Sequence, residues 1–156
     1  MLSKPHHGWT EFSIGNQKYR LSYLTDIPID WLSQAILGME TLTPFAVHGV
    51  CEPGRLLCLV SYWNCHTIFE DEHRKELIKE ETDWNIVHIN MLDFCKNLYK
   101  DISDNLDDWS QWLLYTEEER QQAYDNHKNK IQLKLDRLHE LIIDNEEHFG
   151  EHRCFF

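Results

Sequence analysis

Residues 84–113 read WNIVHINMLDFCKNLYKDISDNLDDWSQWL, and the hydrophobic period changes within them. Trp84 to Ile89 is short and rich in β-branched and aromatic residues, as a strand requires. From Met91 onward the apolar positions are Met91, Phe94, Leu98, Ile102, Leu106, Trp109 and Leu113, at steps of three and four. That spacing winds one apolar stripe along an amphipathic helix of about 23 residues. The chain therefore divides by texture. Residues 9–89 are mostly strands with one helix, residues 90–144 form a helical hairpin, and residues 145–156 form a C-terminal tail, all within one domain spanning 1–156.

Upstream, Trp9–Ile14 and Lys18–Leu24 alternate apolar and polar residues around Gly15-Asn16, which predicts a β-hairpin. Asp26 stands two residues before Pro28, and Asp30 precedes an apolar-periodic stretch. A helix from Ile29 to Leu42 fits, with Trp31, Leu32, Ala35, Ile36 and Met39 on one face, although Gly38 is a poor helix former. Pro44 closes it. Phe45–Cys51 and Leu56–Trp63 flank Glu52-Pro53-Gly54-Arg55, a second hairpin signal. LLCLVSYW (56–63) is nearly continuous in apolar residues and predicts a central strand covered on both faces. His66–Phe69 extends the meander, and the charge-dense stretch Glu70–Asp83 reads as a loop or short helix.

Downstream, Tyr115-Thr116 breaks the stripe, and Thr116 with Glu119 makes a capping box. A second helix runs from Glu117 to Ile143 with Ala123, Ile131, Leu135, Leu138 and Ile142 on one face. So short a break implies an antiparallel pair that covers one face of the sheet. The expected fold class is α+β: an antiparallel β-meander packed against a C-terminal antiparallel helical hairpin, plus one shorter helix after the first hairpin.

Apolar residues make up 42% of the 156, enough for a real core and too many for intrinsic disorder. The five Cys are odd in number and form no disulfide framework. MLSKPHHGWTEF lacks the apolar core of a secretory signal, and no apolar run approaches the roughly 20 residues of a membrane span. A reduced, cytoplasmic protein is the expectation.

Lys and Arg number 15 against 27 Asp and Glu, a formal net charge of -12. Such a field repels nucleic acid and anionic lipid and favours encounter with basic proteins. Residues 1–78 hold 6 basic and 9 acidic residues, a net of -3, whereas residues 79–156 hold 9 and 18, a net of -9. Between Asp101 and Glu119 lie Asp101, Asp104, Asp107, Asp108, Glu117, Glu118 and Glu119 with no Lys or Arg. Asp101, Asp104 and Asp108 share a helix face, where unrelieved like charges repel. A solvated surface would account for this ridge, as would a patch for a cationic partner. Trp109 and Trp112 stand beside it. A wide stripe buries both, and a narrow one leaves an aromatic anchor in an acidic rim, the composition of a binding hot spot. The candidate contact residues are Asp101, Asp104, Asp107, Asp108, Trp112, Glu117 and Glu118.

Ten His and five Cys invite a metal, but no CxxC or HExxH pairs the ligands as zinc needs, and neither the adjacent Cys65-His66, His73, nor the His6-His7 pair supplies a set. No metal or cofactor is expected. GxSxG, P-loop and GxGxxG patterns are missing. Cys58 or Cys65 with His48 or His88 as base could assemble in space, so the alternative is a small cytosolic hydrolase or transferase with a Cys-His or carboxylate site. A DNA mimic would need regular rows of acids, and Lys79, Arg120, Lys128, Lys130, Lys134 and Arg137 interrupt them.

FSIGNQKYRLSYLTDIPIDWL (12–32), LLCLVSYW (56–63) and MLDFCKNLYKDISDNLDDWSQWL (91–113) follow one another in an order of elements that resembles small immunity proteins of bacterial toxin–immunity systems, including contact-dependent growth inhibition. The likeness lies in layout, size and acidity along most of the chain. It implies an antitoxin that binds a cognate basic toxin domain, commonly a nuclease, over or near its active site. It carries over no individual residue.

Overall fold

Gly15 takes φ 54° at the first central position of a two-residue turn, a conformation that a side chain resists. In the computed structural model, which describes residues 1–70, 83–113 and 120–151, this turn joins β1 (Trp9–Ile14) to β2 (Gln17–Ser22). The pair is antiparallel and forms a sheet of its own. The second sheet is a meander of β3 (Phe45–Val50), β4 (Arg55–Val60), β5 (Cys65–Glu70) and β6 (Asp83–Val87), in that spatial order and antiparallel throughout. The α+β class is as the periodicity requires, with the first hairpin separate from the meander.

β2 crosses over the larger sheet instead of extending it. Gln17 Nε2 donates to Asn85 on β6 at 3.3 Å. Tyr19 shares a hydrogen bond with Thr67 and stacks on Phe69, both on β5. Leu21 lies against Gly49 on β3. Successive inward residues of one strand thus meet three different strands of the other sheet, which is orthogonal packing. Phe12, Leu21, Val47, Leu56, Cys58, Val60 and Cys65 fill the space between, all fully or almost fully buried.

Helix α1 (Ile27–Thr41) begins with Pro28, whose missing N–H costs nothing in a first turn. It covers the free edge of β3: Trp31 Nε1 donates to the His48 carbonyl at 2.8 Å, and Gly38 faces Phe45. Helix α2 (Met91–Ser103) starts at Asn90, whose side-chain oxygen accepts the Asp93 N–H at 2.7 Å. Its Phe94 ring packs on Phe45 and Trp31.

The single helix expected over 91–113 is two pieces. α2 stops at Ser103, a turn follows at Asp104-Asn105, and α3 spans Leu106–Ser110. Asn105 Nδ2 donates to the Asp101 carbonyl at 3.1 Å, and Ser103 Oγ to that of Lys100. Short polar side chains here compete for the backbone acceptors. The stripe still works across the break, because Ile102, Trp109 and Trp112 all reach the core.

Helix α4 (Arg120–Glu151) runs well past Ile143, so most of the expected tail is helical. Ile131, Leu135, Leu138, Leu141, Ile142 and Phe149 are its buried face, with Phe149 stacked on Tyr62. It lies antiparallel to α2 and α3, as the bonds Lys96–Glu146 and Lys128–Asp107 require. It lies parallel to α1, through Asp26–His127 and Arg137–Glu40. The expectation that α2 and α4 cover the sheet as a pair is therefore corrected. α4 packs on α1, α2 and α3 and forms an outer layer. The expected break at Tyr115-Thr116, the capping box at Thr116 and Glu119, and the connection over 71–82 lie outside the described residues. Among the described residues no helix is long and apolar enough to cross a membrane.

The second correction concerns LLCLVSYW. Leu56, Cys58 and Val60 are fully buried, but Leu57 is half-buried and Leu59 is 37% exposed. The strand is central in the ladder, and among the described residues no element covers its outer face.

Candidate functional site

The acids of the expected ridge have different fates. Asp101, at 21% exposed, accepts the Leu2 N–H at 2.7 Å and lies 3.2 Å from the amino group of Met1. Asp107 accepts from Lys128 at 2.6 Å and from the Tyr124 hydroxyl at 3.0 Å. Those two donors hold its carboxyl below the ordinary range, Lys128 contributing most. Asp108 pairs with Lys4 at 3.1 Å. Asp104, exposed in the turn after α2, has no ion pair among the described residues. Glu117 and Glu118 lie outside them. The sequence stretch lacks cations, yet the fold brings them in from the N-terminus and α4, so the expectation of an uncompensated ridge is corrected.

Trp112 is corrected too. It is 2% exposed, and its Nε1 donates to the Thr25 carbonyl at 2.8 Å. Trp109 is fully buried 5.1 Å away, ring to ring. The turn between α2 and α3 rotates the stripe enough to bury both rings, so neither offers an aromatic anchor to a partner.

Beside these residues lies a cavity of about 810 Å³ whose lining includes Lys4, His6, His7, Trp112, Arg120 and Tyr124. Lys4 is engaged by Asp108, and the two imidazoles lie 4.0 Å apart, centroid to centroid. Among the described residues no thiol lines this cavity.

The Cys-His pairs are not assembled either. Cys58 is fully buried on the inner face of β4, whereas His48 is exposed, and its cross-strand partner Leu57 points to the outer face. Cys65 is buried and donates its S–H to the Ile89 carbonyl, while His88 is exposed and bonds Asn64. A hydrogen bond to Cys65 and burial push the Cys58 thiol far up, and burial does the same to Cys95. A thiol held protonated and out of reach is a small core residue, not a nucleophile. Among the described residues no group of three or more His, Cys, Asp or Glu is arranged to hold a metal ion.

No family model, no curated protein and no solved structure matches this chain.

Two features of the charge distribution lie outside the expected ridge. The first is His127, 4% exposed on α4, whose Nε2 and Nδ1 face the Asp26 carboxylate and the Ser110 carbonyl, each at 3.0 Å. Two acceptors are both satisfied only when each ring nitrogen carries an N–H, so this geometry favours the imidazolium form. Burial opposes that charge, but Asp26 and Ser110 together outweigh it, and the pKa stands above the ordinary imidazole value. The second is the outward face of α4. Asp136, Glu140, Asp144 and Glu147 are all exposed there, at spacings of three and four. Arg137 is the cation among them and is shared between Glu40 and Glu140. Asp136, Asp144 and Glu147 have no ion pair among the described residues. The i, i+4, i+8, i+11 spacing of this second ridge was a signal available in the sequence, but the expected tail at residue 145 cut it short.

Proposed function

We propose that this chain is a cytoplasmic binding protein for a basic protein partner, and that it acts as an immunity protein, blocking a cognate toxin domain of nuclease type. The observation that carries this reading is the set of exposed acids without a counter-ion among the described residues: Asp104 in the turn after α2, and Asp136, Asp144 and Glu147 on α4. They lie in the half of the chain that holds -9 of the net -12. Unpaired acids on a rigid helix raise the rate of encounter with a basic surface and cost no reorganisation on binding. The contact surface in this reading is centred on Asp104 and the outward face of α4, with no contribution from Trp112. The buried thiols and their separation from His48 and His88 favour binding over catalysis.

The test is direct titration against a panel of basic nuclease domains, with nuclease inhibition read in parallel. A cognate pair should associate at least 10-fold faster at about 50 mM salt than at about 500 mM. Charge reversal at Asp144 and Glu147 should slow association without altering the melting temperature. If no domain forms a salt-sensitive complex, or if one forms that is indifferent to those reversals, the proposal fails.

A further inference from the structure

The outer face of the four-stranded sheet is an ordered apolar surface with nothing among the described residues packed across it as an element. Strand register sets its rows. Ala46, Leu59, His66 and Ile86 are cross-strand neighbours in one row, and His48, Leu57 and Ile68 in the next. Leu59 is 37% and Ile86 61% exposed. The third row begins at Val50 and ends on Arg55 and Glu70, which pair with each other. The described side chains of the face thus carry no unpaired formal charge. In a chain with 27 acidic residues that is a strong departure from the rest of the surface. Leu59 and Ile86 flank His66 in the first row, with Ala46 and Leu57 half-buried and Ile68 buried beside them, and exposed apolar side chains gathered on an uncharged sheet face mark an interface.

We infer that two copies of this chain associate through the outer faces of their β3–β6 sheets. The charge distribution selects this occupant. A partner drawn by the negative field would be basic and would be guided to the helices, which pack on the inner side of the sheet and hold most of the charge. The uncharged face has no attraction for it and is complementary to another uncharged apolar face. In a two-fold sheet-to-sheet pair the acidic helices point away from each other at the two ends, so the net charge of -12 on each copy opposes the contact least in this arrangement. Among the described residues β6 pairs only with β5. Four strands spaced at about 4.8 Å and about five residues long give a footprint of roughly 320 Å² per copy, or about 650 Å² in all, below the roughly 1,200 Å² at which standard specific interfaces begin and in the range of weak, transient pairs. The expected dimer is therefore weak, with a dissociation constant of about 10–100 μM.

Sedimentation equilibrium from about 5 to about 300 μM tests this. The weight-average mass should rise with concentration from 18.8 kDa towards twice that value. Leu59→Asp and Ile86→Asp should each hold the mass at the monomer value, with circular dichroism and melting temperature near those of the parent, because both side chains already meet water. Leu133→Asp, at a site 70% exposed on α4, should leave association unchanged. A monomer at every concentration overturns the inference, as does a dimer that survives both sheet substitutions. A monomer whose sheet face is instead protected from hydrogen exchange by a foreign domain assigns the face to that domain and also overturns it. Self-association and nuclease binding use opposite sides of the molecule, so either can fail alone.

Discussion

His127 Nε2 lies 3.0 Å from the carboxylate of Asp26, a residue 101 positions earlier in the chain. Asp26 occupies the N-cap position of α1, where an Asp usually caps its own helix, yet its side chain makes no capping bond. It reaches to α4 instead. The Nδ1 of the same imidazole holds the Ser110 carbonyl at the end of α3. One buried ring therefore clasps α1, α3 and α4.

This clasp makes stability depend on pH. Below about pH 6.5 the folded and unfolded chains both carry the proton, and the full contribution is present. As pH rises through the raised value of the folded state, the imidazolium loses a proton and one nitrogen becomes an acceptor facing an acceptor. Stability should thus fall as pH rises above about 6.5 and through the raised value of the folded state. Lys130 acts in the opposite sense to Asp26 and limits the range. His127→Gln should cost about 2 kcal/mol at pH 6 and flatten the profile. Urea midpoints of the parent and variant from pH 6 to 9 check this, and parallel profiles would refute the clasp.

The two neighbouring indoles should respond differently to truncation. Trp112 Nε1 has the Thr25 carbonyl, whereas Trp109 Nε1 is buried with no hydrogen-bond partner among the described residues. Both changes to Phe open a similar void, but Trp112→Phe also loses the bond to the Thr25 carbonyl, which then keeps only the Ile27 N–H, whereas Trp109→Phe loses no hydrogen bond among the described residues. Trp112→Phe should be the more costly by about 1–2 kcal/mol. Equal losses in denaturant melts would contradict the hydrogen-bond assignment.

Gly38 lies in α1, where Ala would ordinarily gain about 1 kcal/mol of helix propensity. A Cβ at this position would stand 2.1 Å from Phe45 Cδ1. The contact is with a ring buried between α1, β3 and α2, so relief requires movement of the helix. Gly38→Ala should lower stability by about 1–3 kcal/mol. A neutral or stabilising result in thermal melts would show that Phe45 has another place to go.

Asp101 anchors the N-terminal segment by accepting the Leu2 N–H, and that segment bridges back to β1 at Glu11 and Ser13. Asp101→Ala should cost about 1–2 kcal/mol and accelerate amide exchange at Leu2 and Ser3, while the amides of β4 stay protected. If exchange at Leu2 is unchanged, the anchor lies elsewhere.

Local signals were accurate wherever the deciding contacts were local. Gly15-Asn16 and Pro53-Gly54 marked their hairpins, because each turn is defined by neighbours in sequence. The α1 limits were read within two residues for the same reason. The apolar stripe from Met91 to Leu113 was read correctly as buried, but its helix was not continuous, since the Asp101 carbonyl bonds a side chain that periodicity does not see.

The acidic ridge is the contrary case. Sequence spacing established which acids share a helix face, since helical geometry repeats every 3.6 residues. It could not establish whether those acids are free, because their counter-ions Lys4, Lys128 and the N-terminal segment are brought in by chain crossings that no local pattern encodes. The sequence alone determined the elements, their order and the sum of the charge. Tertiary packing decided which charges remain unpaired, which face of β4 stays open and where His127 finds Asp26, because each of these depends on distances between residues that only the assembled core brings together.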